Sequence, residues 1–180
     1  MDAELKERYG RLLDGAVRGL DELSGNLDGK VAEAEVLVSE VRSLLDLPVP
    51  AIEGTDAEAL LRSLASAGGE WRRRAAAAED VLGQLREAID ALVVEIDFAT
   101  GSEGPLAVLR NTDPYDADPG LVDRAAQLAA RYRLEVELER SVPLETRLKR
   151  SAAALERYLE EADEELGFLD RQRKELEEAQ

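Results

Sequence analysis

The side chains with which this chain could do chemistry are chiefly carboxylates. Glu160, Glu161, Asp163, Glu164 and Glu165 form the densest acidic run. On a helix, Glu160/Glu164 and Glu161/Glu165 stack one turn apart, as the ligands of a di-metal carboxylate site do. Such sites ordinarily add Glu-x-x-His pairs from facing helices, and the chain has no histidine. A solvated acidic face is the favoured reading. Asp113, Asp116 and Asp118 lie in the stretch Asn111 to Gly120, which is turn chemistry throughout. Their oxygens could hold calcium, but an EF-hand needs acids at positions one, three and five and a glutamate at twelve. No metal and no cofactor is expected.

The remaining routes to catalysis are thin. Without histidine there is no imidazole proton shuttle, and without cysteine no thiolate chemistry. The phosphate-binding pattern Gly-x-x-x-x-Gly-Lys-Ser/Thr is absent, and Gly101-Ser102-Glu103-Gly104 lacks a strand-loop-helix context. Ser, Thr, Asp and Lys can form a nucleophilic site without histidine, but no such pairing is visible. The expectation is a protein that is not an enzyme.

Trp71 is the sole tryptophan and precedes Arg72, Arg73 and Arg74. Tryptophan and arginine are enriched where interfaces concentrate their binding energy, so Trp71, Arg72 and Arg73 are candidate partner contacts. The plainer reading is a buried knob beside solvated arginines. Gly68 and Ala75, one turn away on either side, leave room for the ring, and Glu70 can pair with Arg74 at i,i+4.

These residues must be positioned by helices. In the first segment, about Ala3 to Leu47, the residues Leu13, Val17, Leu20, Ser24, Leu27, Val31, Ala34, Val38, Val41 and Leu45 follow one another at steps of four and three. Leu12, Ala16, Leu23, Leu37 and Leu44 widen that stripe to the width of a bundle face. Gly10, Gly15, Gly19, Gly25 and Gly29 each cost roughly 1 kcal/mol against alanine in an isolated helix. They mark either close approach of another backbone or a bend near Ser24-Gly25-Asn26; one uninterrupted helix is favoured.

Pro48-Val49-Pro50 stops this helix, and Thr55 with Glu58 reads as a capping box for the next. The second helix runs to about Phe98 on Leu61, Leu64, Gly68, Trp71, Ala75, Ala78, Leu82, Leu85, Ile89, Leu92 and Ile96. At 1.5 Å per residue each of these helices reaches roughly 65 Å, which with a short turn implies an antiparallel hairpin. Thr100 to Gly120 breaks the pattern, although Pro105 to Leu109 can make a helical turn and Asp118-Pro119 a helix start. A third helix is expected from about Pro119 to Leu138 on Leu121, Ala125, Leu128 and Tyr132. Val142-Pro143 marks a start or kink, and a last helix follows on Leu148, Ala152, Leu155, Leu159, Ala162, Leu166, Leu169 and Leu176. Residues 93–98 and 133–139 are rich in β-formers and could pair as a small ribbon; helix is favoured.

The expected fold is all-α: an elongated antiparallel helical hairpin, residues 1–98, an acidic Pro/Gly loop, 99–120, and C-terminal helices, 121–180, completing a three- or four-helix bundle with a coiled-coil section in a single domain. The 180-residue chain is 44% hydrophobic but only 4% aromatic, so its core is Leu, Val, Ile and Ala. A net charge of -17 repels nucleic-acid phosphate and anionic lipid. No apolar run is long enough for a membrane span. The acidic N-terminus is unlike a secretory signal, and the lack of cysteine fits a reducing cytoplasm. The C-terminal seam at Leu166, Leu169 and Leu176 outruns its intramolecular partner and is a candidate contact for a homo-oligomer, a homodimer being simplest. The expected function is that of a structural or adaptor protein, a subunit or scaffold acting through helix-helix contacts. The alternative is an acidic regulator or chaperone that sequesters a basic partner, with DNA mimicry as a special case.

Overall fold

The computed structural model describes residues 3–111 and 124–180. The chain is all-α, and helix packs on helix. Helix α1 spans Ala3–Leu45, α2 Ala57–Thr100, α3 Pro105–Asn111 and α4 Arg124–Glu178. No strand occurs among the described residues, and both β-rich stretches, 93–98 and 133–139, are helical. No helix there is long and apolar enough to cross a membrane.

Each long helix buries a row that recurs every seventh residue. The rows are Leu13, Leu20, Leu27, Ala34 and Val41 on α1; Leu64, Trp71, Ala78, Leu85, Leu92 and Ala99 on α2; and Leu134, Ser141, Leu148, Leu155, Ala162 and Leu169 on α4. Such a repeat keeps one face turned towards the neighbouring helices along the whole element. On α1 the buried flank Ala16, Leu23 and Leu37 widens the row as expected, whereas Leu12 and Leu45 are exposed.

The chain divides into two compact units, Met1–Glu35 with Ala88–Thr146 and Val36–Glu87 with Arg147–Gln180. The division cuts each of the three long helices. In the first unit, Arg133 reaches Asp21 and Arg140 reaches Asp28, each at 3.3 Å. The partners advance together, so α4 runs parallel to α1 there. Glu137, with Asp28, raises the Arg140 pKa above its ordinary value. Lys30 joins Glu95 of α2 at 3.5 Å in a half-buried pair. Helix α3 lies against α1, with Pro105 beside Gly19 and Leu109 packed on Leu13.

In the second unit, Arg86 meets Glu156 at 3.0 Å and Arg72 meets Asp170 at 3.7 Å. Partners on α4 advance as α2 is followed backwards, so these two helices are antiparallel. These ion pairs are exposed and contribute little stability individually; the aliphatic rows carry the packing. The end of α1 and the start of α2 are joined by residues 46–56.

The structure corrects several expectations. The cap of α2 is Asp56, whose Oδ1 accepts the Ala59 amide at 2.7 Å, in place of Thr55. A carboxylate at this position also meets the positive end of the helix dipole. The two expected C-terminal helices are one. Pro143 sits inside α4 on its exposed side, where the carbonyl it cannot bond faces water. Two residues earlier, the buried Ser141 Oγ donates to the Glu137 carbonyl at 2.6 Å. Because α4 is continuous, the Leu148 row continues back to Leu134, and Leu128 and Tyr132 lie exposed on the opposite side. Leu121 and the Ala125 side chain, like Asp113, Asp116, Asp118 and Pro119, lie outside the described residues. Helix α2 runs on to Thr100 and α3 extends the expected turn at Pro105 to Asn111.

Helix α1 does not break at Ser24-Gly25-Asn26; Ser24 Oγ donates to the Leu20 carbonyl at 2.9 Å. Close approach explains Gly19, where a Cβ would lie 3.1 Å from Pro105 Cγ, whereas Gly15, Gly25 and Gly29 face open space. Gly25→Ala and Gly29→Ala should therefore each stabilise the fold by up to about 1 kcal/mol, read as a higher urea midpoint. Gly19→Ala should gain less or lose stability, because α3 must shift.

Candidate functional site

A cluster of polar and aromatic side chains lies in the second unit, where α2 meets both α4 and the turn between α1 and α2. Trp71 is 6% exposed and packs on Tyr158 of α4, their rings 5.9 Å apart and tilted at 45°. The Arg74 guanidinium lies 5.7 Å from the Trp71 ring centroid, near the outer limit of a cation–π contact. Arg74 Nε donates to Glu70 Oε1 at 2.9 Å, and its NH1 donates to the Pro48 carbonyl at 2.7 Å. The buried guanidinium thus ties the turn to the body of α2. Arg73 donates to the other Glu70 oxygen at 2.6 Å. Hydrogen bonds from Arg73 and then Arg74 hold the Glu70 carboxyl below its ordinary value, against an opposing contribution from desolvation.

The turn held in this way is apolar and exposed. Leu47, Val49 and Ile52 all face solvent, Val49 with 72% of its surface, as does Leu45 at the end of α1. The Glu53 amide donates to Ser63 Oγ at 2.9 Å, a second tie to α2. A Cβ at Gly54 would come within 2.7 Å of the Leu60 amide nitrogen, so only glycine lets the turn pass this close to α2.

Trp71, Arg72 and Arg73 are split by this arrangement. Trp71 is turned inward, Arg72 is exposed and paired with Asp170, and Arg73 is exposed and paired with Glu70. Of the C-terminal candidates, Leu169 is buried, Leu166 and Leu176 are half-buried, and the neighbouring Phe168 is exposed. Arg74 and Tyr158 were not expected as elements of a site. Tyr158 could have been found from its spacing, three residues after Leu155 and four before Ala162. The exposed turn had a signal too: apolar residues around Pro48 and Pro50 that belong to neither periodic run.

Glu160, Glu161, Asp163, Glu164 and Glu165 are all exposed. Among the described residues, no group of three acidic, histidine or cysteine side chains is placed to hold a metal ion. A groove of about 440 Å³ in the first unit is lined by Gly25, Asn26, Gly29, Lys30, Glu33, Ala88 and Ala91. No known protein family, no curated protein and no solved structure matches the chain.

Two outcomes follow from the geometry. Since Glu70 is held below its ordinary value of 4.5, its contribution to stability is present above that pH and lost as pH falls through the lowered value. Glu70→Gln should be less stable than the parent at pH 7, and the gap should close on acidification, as read by chemical denaturation across pH. The Tyr158 hydroxyl is buried without a hydrogen-bond partner. Tyr158→Phe removes an unsatisfied polar group at nearly constant shape, so stability should hold or rise, within about 1 kcal/mol.

Proposed function

We propose that this chain is a structural or adaptor protein without enzymatic activity, working through helix-helix contacts as a homo-oligomer or as a subunit or scaffold of a larger assembly. What supports the reading is apolar surface left on the outer faces of helices at helical spacing. Leu128, Tyr132 and Val142 are exposed on α4, outside the face that buries Leu134 and Ser141, and Val94 and Phe98 are exposed one turn apart on α2. Apolar patches of this kind mark interaction surfaces. The charge balance directs them to protein, since a chain at -17 is repelled by nucleic acid and by anionic lipid. The cytoplasm is the compartment of this proposal.

A second reading is capture of a basic partner by the acidic surface, of which DNA mimicry would be a special case. It is favoured by the solvated run from Glu160 to Glu165.

Size-exclusion chromatography with light scattering, at low and high salt, separates the two. The first reading expects a mass well above 19.7 kDa that persists in salt, and expects Leu128→Glu with Tyr132→Glu to lower that mass without loss of helicity. A monomer at both salts, together with capture of basic protein that fades as salt rises, would overturn it in favour of the second.

A further inference from the structure

The turn between α1 and α2 presents a run of exposed aliphatic side chains on a backbone that is held from behind. Leu47, Val49 and Ile52 face solvent, as does Leu45 at the end of α1, while Arg74, itself buried, fixes the Pro48 carbonyl and Ser63 fixes the Glu53 amide. Pro48 and Pro50 each lock one backbone angle. An apolar turn with so little freedom left loses little entropy when it is buried against something else. Burying the Arg74 cation costs desolvation, and its hydrogen bond to the Pro48 carbonyl reaches beyond its own helix to hold this turn.

We infer that the turn is a preformed docking finger, and that its partner is a protein presenting an apolar, aromatic-lined cleft with a basic rim. The cleft follows from the finger: exposed proline with Leu, Val and Ile is the surface that aromatic-lined grooves bind. The rim follows from charge. Asp46, Glu53, Asp56 and Glu58 flank the finger and are exposed; Arg42 and Arg62 are exposed beside them, Arg62 against Glu58 at 4.0 Å, and four acids to two arginines leave the edge acidic. The same acids disfavour an anionic membrane and a second copy of the same turn. The inference specifies the partner surface for the adaptor role proposed above and rests on that reading. Arg74 is a positioning residue: it touches the finger from behind and not the partner.

The test uses the full chain in cells of its native source, with a benzophenone amino acid replacing Val49 and, as a control in the same unit, replacing the exposed Val36. Crosslinked peptides are then sequenced by mass spectrometry. The expected result is one recurrent protein site reached from position 49 and not from 36, containing an aromatic residue with Lys or Arg beside it. Asp46→Lys with Glu53→Lys should reduce its yield about tenfold, and Arg74→Leu should reduce it too while circular dichroism stays unchanged. If Arg74→Leu loses helicity, Leu47→Ser, which alters only exposed surface, replaces it. Crosslinks to lipid, to a second copy of this chain, or to the same background as position 36 would overturn the inference, as would a yield indifferent to charge reversal. Absence of any specific crosslink from position 49 in a chain that still runs as an oligomer would sink the finger alone and leave the oligomer reading standing.

Discussion

A row of small aliphatic side chains recurring every seventh residue is the constraint on which the rest of this structure depends. Each row has to stay on one side of its helix for many turns, and it can do so only if every seventh position is buried whatever residue occupies it. The rows accordingly absorb residues of unequal size, from Ala78 and Ala162 to Trp71, and even Ser141. Ser141 is tolerated because its hydroxyl bonds within its own helix, so no polar group is left orphaned between helices. The same demand carries α4 through Pro143. Ending the helix there would strand Leu134 and the residues before it from the row that begins again at Leu144 and Leu148. One lost backbone bond on a solvated side costs less than unburying those leucines.

Polar groups that enter the packed faces are fixed with the same economy. Among the described residues Arg74 is the one charged residue that is buried, and each of its polar contacts has a distinct role. Glu70 supplies the compensating charge, Trp71 supplies a flat surface, and the Pro48 carbonyl turns the cation into a tie between elements distant in sequence. The exposed ion pairs work differently. Arg133–Asp21 and Arg140–Asp28 contribute little energy, but their equal spacing on the two helices marks a register that the aliphatic rows alone, being repetitive, specify weakly.

Much of this was legible in the residues because burial and spacing coincide. The rows of α1 and α2, the all-α class and the hairpin turn at Pro48 and Pro50 follow from periodicity. What was not legible had physical reasons. Periodicity cannot tell a proline that ends a helix from one that sits on its solvent side, so spacing alone divides α4 into two helices and assigns Leu128 and Tyr132 to a seam that belongs to Leu134. Cap chemistry is ambiguous where Thr55 and Asp56 are adjacent, and a one-residue shift decided it. Within the candidate site, Trp71 and its neighbouring arginines stood out by residue type. The decisive contact, Arg74 to the Pro48 carbonyl, joins residues that no spacing rule connects, and the acceptor is backbone, which carries no residue signature at all.

On the functions proposed above, the charge distribution suits the two kinds of exposed apolar surface to different partners. On α4, the outward Leu128 and Tyr132 have both signs of charge beside them, with Arg131 paired to Glu135 at 2.9 Å and Arg133 to Asp21. A second copy can match such a surface, because each sign finds its opposite across a two-fold contact. Around the turn between α1 and α2 the balance is acidic, so two copies would place like charges against one another there. A chain at -17 adds a general repulsion that falls with salt. Exposed leucine and valine would otherwise invite indiscriminate association; with acids on the rim, they reward only a partner that brings cations to the edge and apolar surface to the centre. Specificity here comes as much from what the rim repels as from what the centre attracts.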